Sequence, residues 1–443
     1  VKKPTRVVFL ESREGTESLF TCGLRTGAIA AGWDAEVVFL ADEHGAERPD
    51  KDVRGDLLTI RPDTVCFLMD APLHLPRLWE APSLVGVDKV SLWFDDYYRS
   101  PKTLGHAEVW TDWQKNQGVR VGIWDAFWRG QWKRHTGGDA FPARLAADPK
   151  LFAPDAPAWK PEWSGRAVFV GTIPALKSLE ALAEPFPRAV QQLLADTLEA
   201  MRQASWPIRP YELAEGCQAA LGSKVSMAVD AALKAPEIRA LWNHLLWRWG
   251  KRIARLRGLA AVAQSAPLGV MSGHGTEIYA GEAELREALP AVDLVYSDTK
   301  GLPSRLWRNL FRTGRFQVQI TDPQSVEGGL PFRVFESAAC AMPLLSDHRA
   351  ELAELFPEDC GVTLAAGEAA MAEAAAQLMR TPVRELRAQG REFYKRFLAD
   401  HTWEARWREI AAGAVRASLT TPLAEVNWRP VARLPVETAP QVA

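Results

Sequence analysis

The chain has 443 residues, with 53 basic side chains against 55 acidic ones and 47% hydrophobic content. That length is long for a single core and suits two domains of ordinary size. The near-balanced charge gives no footing to a nucleic-acid binder or to a protein held on a strongly anionic surface. Five cysteines (Cys22, Cys66, Cys217, Cys340, Cys360) are scattered, odd in number and without a C-x-x-C pair. This argues against a disulfide framework or a zinc site and for a reducing compartment. The apolar run Val7 to Leu10 is too short for a signal peptide, and no uninterrupted apolar stretch reaches the ~18 residues of a membrane span. A soluble, cytoplasmic protein is expected.

In chain order, RVVFL (6–10) is a short buried-type strand followed by a polar loop from Glu11. Residues 17–31 have helical spacing and end at Gly32, a common helix stop. Further strands are predicted at 35–40, 64–70, 89–96, 107–113 and 119–124. Strands separated by helical patterns predict a parallel sheet with crossovers, a Rossmann-like domain over residues 1–150. The Pro- and Ala-rich stretch 141–159 reads as a linker. A second domain, 160–400, opens with the strand AVFVGT, which ends in Gly171 and Thr172. A long helical region is predicted over about 176–264, with strands at 267–275, 293–298 and 316–321. Residues 401–443 read as a final helix and, from about Thr420, an extended Pro-rich tail.

The segment GGLPFRVFESAACAMPLLSDHRAELAELF (328–356) carries the most information. A loop with Gly328 and Gly329 leads into a predicted helix that places Arg333 and Glu336 on nearly one face. Small residues follow (Ser337, Ala338, Ala339, Cys340, Ala341), allowing close backbone approach. Pro343 stops the helix, and LLSD reads as a short parallel strand. Ligands in open α/β sheets sit at strand ends of this kind.

This string resembles the C-terminal donor domain of GT-B glycosyltransferases, most closely their CgeB-like, spore-maturation-protein branch. The resemblance rests on Arg333-Val334-Phe335-Glu336, Ala339-Cys340, Leu344-Leu345 and Glu351 to Phe356, on the connector at 141–159, and on HTWEARWREI (401–410). It implies an α/β protein with two Rossmann-like domains facing a central cleft, with a helical insertion in the C-terminal domain. It further implies a nucleotide-sugar donor and a glycan, lipid-linked or protein acceptor, with the closing helix crossing back onto the first domain. In the family the glutamate holds the nucleotide ribose, a role that passes to Glu336. Two departures stand out. Ala341 replaces the usual glycine, and eight residues separate Glu327 from Glu336 where the wider pattern has seven.

A nucleoside diphosphate needs donors for its oxygens, a grip on the ribose and a cavity. Gly171 and Thr172 are placed to offer backbone N–H groups and a hydroxyl. Gly273 and His274 end another strand at the equivalent edge, and Arg333 is the first candidate for phosphate charge. Lys300 and Arg305 lie in a nearby polar loop, and surface basic residues of this kind are ordinarily just solvated. No D-x-D stands between apolar strand residues, so a metal-independent reaction without cofactor is expected, the nucleotide-sugar being substrate. Base candidates end N-domain strands: Asp70, Asp95, Asp96 and Asp112, with His74 beyond. Family members often read W-F-x-D here, which singles out Asp95 and Asp96. Taken singly, each aspartate fits a strand-end turn or helix cap better than a catalytic base.

Six of the eighteen tryptophans lie between Trp93 and Trp132. Sugars stack on aromatic faces, so one or two could line an acceptor cleft, the others packing in the core. In the stretch 241–259, Arg248, Lys251, Arg252 and Arg255 share one helical face, while Trp242, Leu246, Trp249, Ile253 and Leu256 share another. Such a helix either lies on an anionic membrane surface or packs its apolar face on the sheet and leaves the basic face in water. Two other functions are compatible with the same fold: a nucleotide-sugar epimerase, and a non-catalytic envelope or appendage assembly factor.

Overall fold

The computed structural model describes residues 5–11, 19–42, 46–69, 84, 86–94, 101–155, 157–158, 160–272, 278–296, 309–357 and 360–412. Two six-stranded sheets form, one in each half of the chain. The first contains β1 (Arg6–Glu11), β2 (Asp34–Phe39), β3 (Thr64–Leu68), β4 (Asp88–Trp93), β5 (Val119–Ile123) and β6 (Ala140–Pro142) in the order β2-β1-β3-β4-β5-β6. The second contains β7 (Ala167–Val170), β8 (Leu268–Ser272), β9 (Asp293–Tyr296), β10 (Phe316–Gln319), β11 (Leu344–Asp347) and β12 (Val362–Ala365) in the order β12-β11-β10-β7-β8-β9. Every pairing in both sheets is parallel. Parallel strands covered on both faces must be apolar throughout, and Val7, Val8, Val65, Cys66, Phe67, Val168 and Phe169 are all fully buried.

Each order reverses at one point: between β1 and β3 in the first sheet, and between β7 and β10 in the second. Chains that leave such a pair of strands turn to opposite faces of the sheet and open a crevice at the carboxyl ends. The helical region predicted at 176–264 is an insertion between β7 and β8, made of five helices: Leu176–Ala183, Arg188–Gln203, Pro210–Ala220, Ser223–Ala232 and Pro236–Ala263. The last of these, 28 residues long, packs on several C-domain helices and reaches the first domain at Pro101–Gly105.

The final helix, Trp403–Ala412, crosses back onto the first domain against the helix Leu19–Ala30. Two glycines one turn apart make this approach possible. A Cβ at Gly23 would lie 2.4 Å from the Trp403 ring, and one at Gly27 would lie 2.3 Å from the Trp403 carbonyl oxygen. Arg120 of β5 donates to the Ile410 carbonyl, and Arg406 donates to the Leu145 carbonyl of the linker.

The structure corrects the sequence reading in three places. Residues 107–113 are not a strand but part of the helix Ala107–Asn116, because Trp110 and Trp113 stand three apart and bury one helical face. Asp112 is therefore not at a strand end; it is exposed and accepts from Asn116 Nδ2 at 2.5 Å. Residues 140–142 and 362–365 add edge strands to their sheets. The six tryptophans from Trp93 to Trp132 are all buried, with Trp93, Trp110 and Trp132 packed ring to ring at 5.2–6.0 Å, so none lines an open acceptor cleft. The tail predicted from about Thr420 lies outside the described residues.

Candidate functional site

The crevice at the switch point of the second sheet lies between the chain leaving β7, at Gly171 and Thr172, and the chain leaving β10, at Thr321 and Asp322. Three cations from the helix Pro236–Ala263 meet there. Arg248, Lys251 and Arg255 are spaced three and four apart, so they share one face, and that face is buried: their exposures are 8%, 7% and 4%. Arg255 donates to the Thr172 carbonyl, and its guanidinium lies 5.5 Å from the centre of the Phe169 ring. Lys251 pairs with Asp322 at 3.2 Å, and the Trp247 indole donates to the same carboxylate. Arg248 and Lys251 both stand over the Trp247 and Tyr279 rings, at 5.1–5.9 Å. Arg252, on the flank of the same face, donates to the Pro174 carbonyl and pairs with Glu284 at 2.6 Å.

The basic face expected to meet water or a membrane is thus turned into the protein. The helix is enclosed on both faces, because Trp242, Leu246 and Trp249 are buried as well. Among the described residues no helix is long and apolar enough to cross a membrane.

Burial pushes Lys251 down to about 7; Asp322 opposes this, while Arg255 and Arg333 add to it. Arg255 is pushed down to about 10, again by burial, with Asp322 opposing and Arg333 adding. Burial alone would raise the Asp322 carboxyl, but the attraction of Lys251 and Arg255 more than reverses that and leaves it below its usual value. Asp322 is the carboxylate in direct contact with Lys251, while Asp347 also acts on Arg255 and Glu336 stands near Arg333, all in a space that water scarcely reaches. The buried Nε atoms of Arg248, Arg255 and Arg333 have no hydrogen-bond partner among the described residues, nor do Ser272 Oγ at the end of β8 and Thr321 Oγ1 just past β10. Buried donors normally find acceptors, so a set of orphaned donors around excess positive charge is shaped for an anion.

Arg333 connects this cluster to a second feature. It lies on the helix Phe332–Ala339, whose face also carries Glu336, and both line a cavity of about 160 Å³. Phe152 and Trp403 form apolar walls, and Cys22 and Asp148 stand at its edge. Burial pushes the half-buried Glu336 carboxyl up to about 7, with Arg333 opposing. A carboxyl raised above 4.5 holds more protons folded than unfolded, so its contribution to stability is present below about 4.5 and is lost as the pH rises through about 7. Glu336→Gln is expected to flatten that part of the curve. Melting temperatures of the two proteins should converge near pH 4, with the variant the more stable near pH 8; parallel curves would contradict this.

The sequence-derived candidates fare differently. Glu336 and Arg333 lie on one helix and both line the cavity. Gly171 does not offer its N–H to a ligand, because that group donates to the Met271 carbonyl in the sheet ladder at 3.0 Å. Thr172 is placed at the crevice, where its carbonyl anchors Arg255. Gly329 has φ of +52°, a backbone conformation suited to glycine, and packs against Asp125 and Trp124 of the first domain. Glu327 is exposed, and the same Asp125 receives its backbone N–H at 3.1 Å. Asp70, His74, Asp95, Asp96, Gly273, His274, Lys300 and Arg305 lie outside the described residues. Among the described residues no three His, Cys, Asp or Glu side chains are grouped to hold a metal.

Sequence reasoning missed Asp322 and Asp125 and misread the role of Arg248, Lys251 and Arg255. A signal for the cations was present: three basic residues at positions i, i+3 and i+7 of a helix whose remaining faces are rich in tryptophan and leucine.

Comparison with known proteins places this geometry. Residues 290–412 match the family described as glycosyl transferase-like. No curated protein matches the chain in sequence. Among solved structures, sucrose-phosphate synthase from Thermosynechococcus elongatus is similar with a TM-score of 0.52 and 10% identity, over 92% of this chain and 98% of that one. A glycosyltransferase from Rickettsia africae ESF-5 gives 0.53 and 9%, over 92% and 97%. The Anabaena protein HepE, in complex with UDP and glucose, gives 0.51 and 11%, over 92% and 99%. The likeness is one of fold: the chain adopts the GT-B arrangement of two parallel-sheet domains.

Proposed function

We propose that the protein is a glycosyltransferase of the CgeB-like branch, moving a sugar from a nucleotide-sugar donor to a glycan, lipid-linked or protein acceptor. The observation that carries this reading is the buried cluster of Arg248, Lys251 and Arg255, continued by Arg333 to the Glu336 cavity. Its charge suits a diphosphate, and its position is the switch-point crevice where such ligands bind in α/β sheets. Glu336, three residues from Arg333, would accept ribose hydroxyls. The UDP and glucose complex of the HepE structure, on the same fold, supports a nucleotide-sugar donor.

In the reaction, the cations would stabilise the negative charge that collects on the diphosphate as the glycosidic bond breaks. Fixed charges in a dry site do this without reorganisation, which is why they lower the barrier. They can fill the place of a divalent cation, in keeping with a metal-independent mechanism. The acceptor proton needs a base from the first domain or the leaving phosphate itself, and Asp95 and Asp96 remain the proposed N-domain candidates. A reducing, cytoplasmic compartment suits five scattered cysteines without a C-x-x-C pair.

Glu336 tests the reading. Charge-assisted hydrogen bonds are worth ~1.5–3 kcal/mol each. Glu336→Gln is therefore expected to keep the fold and weaken nucleoside binding by roughly one to two powers of ten, with Glu336→Ala weaker still. Calorimetry with nucleosides and their diphosphates would measure this. Unchanged nucleoside affinity in folded Glu336→Ala would remove Glu336 from the site. Failure of UDP, GDP, ADP, CDP and dTDP alike to bind the wild-type protein would sink the donor reading as a whole.

A further inference from the structure

The loop that presents Arg333 and Glu336 is held from the other domain. Asp125 follows β5 of the first sheet and caps the helix Ala126–Thr136. Its Oδ1 accepts the backbone N–H groups of Phe127 at 2.9 Å and Trp128 at 3.4 Å. Its Oδ2 crosses to the second domain and accepts three successive backbone N–H groups, from Val326 at 3.1 Å, Glu327 at 3.1 Å and Gly328 at 2.9 Å. The residue is fully buried. Three consecutive amides converging on one oxygen make an anion nest, and here the anion is a side chain of the partner domain. Gly329, at φ +52°, completes the turn so close to Asp125 that a Cβ there would lie 3.1 Å from the Asp125 side chain, and Pro331 then precedes the helix of Arg333 and Glu336.

A second strut runs beside the first, since the Trp128 indole donates to the Gln324 carbonyl at 2.8 Å. From within the second domain, Arg349 donates to the Ser325 carbonyl at 2.7 Å. Farther along the interface Arg144 pairs with Glu351 at 2.6 Å, both largely buried. The loop Asp322–Pro331 begins at the carboxylate that pairs with Lys251 and ends at the helix of Arg333 and Glu336. Its shape is therefore set jointly by the two domains.

We infer that Asp125 is a positioning residue that shapes the donor loop from the opposite domain, so that closure of the cleft and assembly of the donor site are one event. With the domains apart, the amides of Val326, Glu327 and Gly328 lose their acceptor and the loop loses the contact that orients it. A donor bound on Arg255, Arg333 and Glu336 selects the loop shape that receives Asp125, and the closed domains hold that shape for the donor. This rests on the donor site proposed above.

The test separates the two roles of the carboxylate. Serine caps a helix nearly as well as aspartate but is too short to reach the loop, so Asp125→Ser keeps the local helix and removes the bridge. Asp125→Ser and Asp125→Ala are both expected to bind the wild type's preferred diphosphate, chosen from UDP, GDP, ADP, CDP and dTDP, roughly tenfold more weakly. Both should show a larger radius of gyration in solution scattering without ligand. Both should lower the melting temperature, because the loop amides lose their acceptor, and Asp125→Ala should lower it further through the lost cap. Gly329→Val, which strains the loop from the other side, should reproduce the expansion and the weaker binding. Wild-type scattering and affinity in Asp125→Ser would reduce the residue to a helix cap and overturn the inference. If no diphosphate binds the wild type, the donor reading fails, and the scattering arm still decides whether Asp125 holds the domains together.

Discussion

Removing Arg255 and Arg333 together, as alanines, is expected to cost nucleoside diphosphate binding roughly two to four powers of ten, while free nucleoside affinity changes by only a few-fold. Two charge-assisted contacts at ~1.5–3 kcal/mol each set that range, reduced by whatever coupling the pair shares. The same variant should gain stability. Arg255 and Arg333 repel each other and Lys251 across a poorly solvated space, and Asp322 is the carboxylate in direct contact with the cluster. Excess charge that a fold tolerates without a ligand to neutralise it is a mark of a binding site, where stability is given up for function. Calorimetric titration beside thermal melts would read both effects. Lost binding with a lower melting temperature would point instead to a structural role for the two arginines.

Asp322→Ala is expected to act in the opposite direction, lowering stability by about 3–5 kcal/mol at neutral pH, the usual consequence of breaking one side of a buried ion pair. The carboxylate pairs with Lys251, accepts from Trp247 and lies in the field of Arg255. Without it Lys251 falls further below its ordinary value and is neutral in the folded chain over a wider pH range, while the unfolded chain keeps it charged up to about 10.4. The unfolded state then binds more protons, so the variant's stability should rise with pH through that window. Chemical denaturation at pH 7 and at pH 9 checks both the loss and its partial recovery. A loss under about 1 kcal/mol would mean that the cluster is more hydrated than its burial indicates.

The architecture was legible because it is written in local patterns. Short apolar runs separated by helical spacing determine a parallel sheet whatever surrounds them, and ten of the strands and the helical insertion lie where those runs place them. Glu336 and Arg333 were legible for the same reason: three apart on one short helix, they must share a face, and the glycines, small residues and Pro343 around them set that helix between a loop and a strand. The misreading at 107–113 arose where seven residues fit both periods, and burial of Trp110 and Trp113 decided for the helix.

What only the tertiary structure decided is where a face points. Helical periodicity groups Arg248, Lys251 and Arg255 but cannot say whether their side meets water or protein, since amphipathicity is a statement about one helix and burial is a property of its neighbours. The crevice between β7 and β10 brings those cations to Asp322 across 67 to 74 residues of chain, and no local pattern encodes that approach. Asp125 is the same case in its simplest form. Its place before a helix announces a cap and accounts for one carboxylate oxygen, while the other is satisfied by amides some two hundred residues away, in a domain that the sequence shows only as a separate run of strands.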